Sequence, residues 1–80
     1  MTKLVVENTS GIDARMAQQI VQKASEYEAD MLLKYEGKEV DLKSILGIMS
    51  LAVLDGAKIE IEARGSDSEE AIAALKEMIK

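Results

Sequence analysis

Apolar and polar positions alternate in four stretches of the chain and recur at helical spacing in three others. Leu4 and Val6 face one way, and Lys3 and Glu7 the other, which predicts a strand over 3–7. Asn8-Thr9-Ser10-Gly11 is a loop by composition. Ala17, Ile20, Val21 and Ala24 then keep the spacing of one helix face, with Gln18, Gln19, Gln22 and Lys23 on the wet side. Met31, Leu33 and Tyr35 alternate with Leu32, Lys34 and Glu36 as a second strand. Gly37 marks a tight turn, Val40 and Leu42 form a short third strand, and 31–42 reads as a hairpin. Ser44 stands where an N-cap would, before the apolar run Ile45 to Ala52, and Asp55-Gly56 ends that region. Ile59, Ile61 and Ala63 alternate with Lys58, Glu60, Glu62 and Arg64, the cleanest half-buried strand. Gly65 to Ser68 breaks it, and Asp67 with Glu70 resembles a capping box. Ala71, Ile72, Leu75, Met78 and Ile79 give a last helix its apolar face, with Lys76 and Lys80 placed to suit its dipole.

The predicted order is β-α-β-β-α-β-α in one domain, residues 1–80. Strands that alternate leave one sheet face in water, which favours an antiparallel sheet. Helices with one apolar stripe each cover the other face, an α+β arrangement in two layers.

Composition narrows the chemistry. Cysteine and histidine are absent, so there is no disulfide, no thiolate nucleophile, no imidazole base and no cysteine or histidine metal site. A conventional hydrolase is hard to assemble from the rest, and a binding module without cofactor or metal is expected rather than an enzyme. A net charge of −5 argues against nucleic acid and against an anionic membrane surface. No apolar run approaches spanning length, and Met1 to Glu7 lacks the h-region of a signal peptide, so a cytoplasmic protein is expected.

One helix carries more apolar surface than it can bury. At about 100° per residue, Ile45, Leu46, Ile48, Met49, Leu51 and Ala52 cover well over half the circumference. Part of it should remain exposed, and an exposed apolar patch with a polar rim implies a partner. A serine hydroxyl at its head is a candidate phosphorylation switch.

Ser10-Gly-Ile-Asp-Ala-Arg15 and Lys43-Ser-Ile-Leu-Gly-Ile-Met-Ser-Leu51 resemble the two signature stretches of HPr, the small phosphocarrier of the bacterial sugar phosphotransferase system. The likeness extends over essentially the whole chain, including Glu36-Gly37-Lys38 and Gly65 before the last helix. It implies an open-faced β-sandwich, a four-stranded antiparallel sheet covered on one face by three helices. The second signature is nearly complete and the first is altered. Where the family has the histidine that accepts phosphate from enzyme I, this chain has Asp13, and Met16 replaces the following proline. The phosphohistidine relay is therefore unavailable. In character the chain is similar to the histidine-less regulators called Crh. The resemblance implies Ser44 as the residue modified by HPr kinase/phosphorylase. It also implies binding to a LacI-type catabolite repressor, with enzyme I as a further partner. Ile45, Leu46 and Met49 would be apolar contacts and Arg15 a phosphate-facing cation.

Asp13 has three readings: an N-cap, a fixed charge that partly imitates a phosphorylated histidine, or an acyl-phosphate acceptor. With the last goes an alternative function, a phosphocarrier working through Asp13; a third is a decoy that occupies enzyme I and transfers nothing. Met16 gives up a preset φ but adds an adaptable apolar contact to the patch. An exposed pairing of Arg15 with Asp13 would contribute about 0–1 kcal/mol. Lys43 would soften the charge around Ser44, and Ser50 is expected to be structural or exposed. Gly47, inside a helix, costs about 1 kcal/mol relative to alanine and calls for a close approach by another backbone.

Overall fold

Four strands form one antiparallel sheet in the order β1-β4-β2-β3. The computed structural model describes residues 1–79. In chain order the elements are β1 (Thr2–Val6), α1 (Ala14–Ala24), β2 (Asp30–Tyr35), β3 (Lys38–Asp41), α2 (Ile45–Leu51), β4 (Ile59–Arg64) and α3 (Ser68–Met78). The predicted order and antiparallel sheet are both present. The strand expected over 3–7 lies at Thr2–Val6, and β3 ends before Leu42, whose N–H still donates to the Met31 carbonyl at 3.0 Å. Lys80, expected near the end of the last helix, lies outside the described residues.

The register explains the core. Leu4 pairs with Ile61, Ile61 with Leu33, and Leu33 with Val40, so one apolar row crosses all four strands. Ile20 and Ala17 of α1, Ile48 of α2, and Ala71 and Leu75 of α3 close over that face and are buried. α3 packs on β1 and β4, α2 on β3, and α1 against both other helices.

On the open face Glu62, expected to be wet, is buried. Its strand is central: Lys3 stands opposite it on β1 and Leu32 on β2. Lys34 donates a hydrogen bond to the Glu62 carboxylate, and the Lys3 ammonium lies 3.8 Å from it. Long cationic side chains thus cover a carboxylate on a nominally open face. The Lys34 hydrogen bond holds the Glu62 carboxyl below the ordinary carboxylate value, and in return raises the Lys34 ammonium.

At the β2–β3 turn, Glu36 and Gly37 both have positive φ, +49° and +79°, as a two-residue type I′ hairpin requires. The capping box at α3 does not form. The Asp67 carboxylate makes no cap to its own helix. It accepts the Glu28 N–H at 2.8 Å and the Ala29 N–H at 2.9 Å instead. A β-carbon at Gly65 would lie 3.0 Å from the Ala29 Cα, so the β4–α3 turn presses on the loop before β2 and hands it the aspartate. The two loop donors give each carboxylate oxygen its own backbone N–H partner.

Candidate functional site

The heads of α1 and α2 are built alike. Asp13 Oδ1 accepts the Met16 N–H at 2.8 Å, and Ser44 Oγ accepts the Gly47 N–H at 3.0 Å. Both residues have extended backbone, as N-caps do. The N-cap geometry at Asp13 uses one carboxylate oxygen.

α2 divides its apolar residues by face. Ile48 and Leu51 turn into the core. Ile45 and Met49, one helical turn apart, stay exposed, and Leu46 beside them keeps 84% of its surface in solvent. The surplus apolar surface expected of this run is therefore real. Ala52 ends the helix in the left-handed region at φ 53°, and Leu54, two residues further on, is 69% exposed. Ser50 is exposed and donates back to the Gly47 carbonyl.

Gly47 is explained by side chains rather than by the approach of another backbone. A β-carbon there would lie 3.2 Å from both the Val40 Cβ and Ser44 Oγ. Lys43 is tethered away from the patch: its ammonium donates to the Tyr27 carbonyl at 2.8 Å, tying the head of α2 to the loop after α1.

Asp13 and Met16 line a cleft of about 670 Å³ whose other wall is Val53, Leu54 and Asp55. The backbone closes it. Ile12 N–H donates to the Val53 carbonyl at 3.1 Å, Thr9 N–H donates to the Ala57 carbonyl at 3.0 Å, and Ser10 bridges to Asp55. Gly11, at φ +81°, leaves room for the opposite loop, since a β-carbon there would lie 2.9 Å from Asp55 Oδ1. Arg15 and Ser44 do not line this cleft. Arg15 is exposed on the first turn of α1 and forms no ion pair with Asp13 or any other described residue.

Neither periodicity nor motif points to Leu54 and Asp55 as site residues. The available signal was a bulky aliphatic residue set directly before an Asp-Gly turn, where loop chemistry favours polar side chains. Among the described residues no group of acidic side chains is arranged to hold a metal, and no helix is long and apolar enough to cross a membrane.

Comparison with known proteins places this geometry. The model of the PTS HPr component phosphorylation site matches residues 1–80. HPr-C-His of Thermoanaerobacter tengcongensis is similar at 40% identity and TM-score 0.91, covering 98% of this chain and 90% of that one. The phosphocarrier protein HPr of Bacillus anthracis is similar at 41% identity and TM-score 0.91, covering 99% and 96%. Crh of Bacillus subtilis is similar at 38% identity and TM-score 0.79, covering 98% and 90%.

Proposed function

The chain belongs to the HPr family, and we propose that within it the protein is a regulatory binding module rather than a histidine phosphocarrier. Ser44 is the switch, phosphorylated by an HPr kinase/phosphorylase. Ile45, Leu46 and Met49, with Met16 at the edge, form the docking surface for a LacI-type catabolite repressor. Arg15 supplies a cation to a phosphate or to the partner.

The observation that carries this is the combination at α2: a serine hydroxyl at the helix head and a contiguous exposed apolar stripe immediately after it. Burying such a stripe on a partner returns about 25 cal/mol per Å² of apolar surface, and a dianion placed beside it changes which partner surfaces fit. The complete absence of histidine removes the family's acceptor. Arg15, without an ion-pair partner among the described residues, is available to hold a phosphate with two donors. Kinase treatment of wild type and Ser44→Ala, followed by repressor binding, tests the assignment.

The cleft supports a second function. Asp13 keeps one oxygen free of its cap, so it could imitate a phosphorylated residue towards enzyme I, or accept phosphate as an acyl phosphate, or hold enzyme I as a decoy without transfer. Incubation with phosphorylated enzyme I, with Asp13→Asn as control, separates these. Label on wild type alone indicates an acceptor, and binding without label indicates a mimic or decoy.

A further inference from the structure

One peptide group in the loop after α1 is held between two opposite charges. The peptide joining Tyr27 to Glu28 offers its carbonyl to the Lys43 ammonium at 2.8 Å and its N–H to Asp67 Oδ2 at 2.8 Å. Asp67 Oδ1 takes the next donor, the Ala29 N–H, at 2.9 Å. Neither Lys43 nor Asp67 forms an ion pair among the described residues. Hydrogen bonds at the two ends of an amide polarise each other, and each is stronger when its outer partner is charged. Lys43 directly precedes Ser44, the cap of α2, and Asp67 directly precedes α3. The peptide therefore links the heads of two helices that lie far apart in sequence.

The Lys43 end of this link has a second acceptor within its reach once Ser44 carries a phosphate. The Lys43 backbone is fixed by its N–H, which donates to Asp41 Oδ1 at 2.9 Å, so the ammonium changes partner by turning its flexible stem. A phosphate brings about −1.5 to −2 charge and three acceptor oxygens, against one neutral carbonyl. The Asp67 end is less free, because the turn at Gly65 presses on Ala29. Arg15, proposed above as a cation for the phosphate, has no ion-pair partner among the described residues to give up. Lys43 differs in leaving a contact whose loss is felt elsewhere.

We infer that a phosphate on Ser44 draws the Lys43 ammonium off the Tyr27 carbonyl, and that this one peptide carries the loss to Asp67 at the head of α3. The inference rests on the modification of Ser44 proposed above and adds how it is felt away from α2. The bistable element is the Lys43 side chain, with the carbonyl and the phosphate as its two partners.

The test uses the full chain made by chemical synthesis with serine or phosphoserine at position 44. Isotope labels go into the Tyr27 carbonyl carbon and the Glu28 and Ala29 amide nitrogens. Phosphoserine should move the Tyr27 carbonyl carbon and the Glu28 amide proton upfield, the direction of a weakened hydrogen bond. Lys43→Met without phosphate should move both the same way, and phosphoserine should then add little. Ala29 should shift less than Glu28 throughout, since its N–H belongs to the next peptide. Unmoved Tyr27 and Glu28 signals in the phosphoserine chain, or a full response in Lys43→Met, overturns the inference. So does an Ala29 shift as large as that of Glu28, which would mean that the whole loop moves. Because synthesis supplies the phosphate, these shifts are read whether or not a kinase accepts the protein. Refusal by the kinase sinks the proposed function and leaves the link standing, and absent shifts in a chain the kinase does modify sink the link alone.

Discussion

Ser44 Oγ accepts the Gly47 backbone N–H at 3.0 Å, so the hydroxyl proposed as the switch is also the cap of α2. Ser44→Ala should lower stability by about 1 kcal/mol, the usual value of such a cap, while Ser44→Asp should keep it. Urea denaturation of the two variants measures this. The contrast also separates loss of the phosphate acceptor from loss of the helix head in any binding assay.

Asp13 caps α1 in the same way. Asp13→Asn should leave stability within about 0.5 kcal/mol of wild type, and Asp13→Ala should lower it by about 1 kcal/mol. Equal losses for both variants would show that charge, rather than the cap, is what position 13 contributes to folding.

Asp67 holds two backbone donors of the loop before β2, the Glu28 and Ala29 N–H groups. Asp67→Ala leaves the part-buried Ala29 donor without its partner. The expected loss is about 2–3 kcal/mol, more than for either helix cap, because the acceptor is ionised and one donor is shielded from water. Faster hydrogen exchange at Glu28 and Ala29 should accompany it.

Stability should follow pH through the open-face network. The Lys34 hydrogen bond holds the folded Glu62 carboxyl below its ordinary 4.5. The unfolded chain then binds the proton more readily, and the contribution of the pair is complete above about 4.5 and is lost as pH falls through the folded value. Lys34 is raised above its ordinary 10.5, so its contribution is complete below about 10.5 and is lost as pH rises through the raised value. Thermal melts of Glu62→Gln should show a flatter acid limb than wild type.

Much of this was legible because burial repeats with the period of the element that buries. Leu4, Ile61, Leu33 and Val40 alternate in sequence and meet in one row of the sheet. Ser44 and Asp13 could be placed at helix heads because their side chains bond locally. What escaped was set by long-range neighbours. Glu62 reads as a wet position until β4 is known to be central, with Lys3 and Lys34 on either side. Asp67 reads as a cap until the Glu28–Ala29 loop is seen against it. Asp55 and Leu54 join the site only because Gly11 lets two distant loops close together.

The most direct measurement is treatment with an HPr kinase/phosphorylase, localisation of the phosphate by mass spectrometry, and titration of the product with a LacI-type catabolite repressor. The proposed function predicts one phosphate, on Ser44 and absent from Ser44→Ala, with repressor bound more tightly by the phosphorylated protein. No incorporation, incorporation at another residue, or repressor affinity unchanged by the phosphate would contradict it.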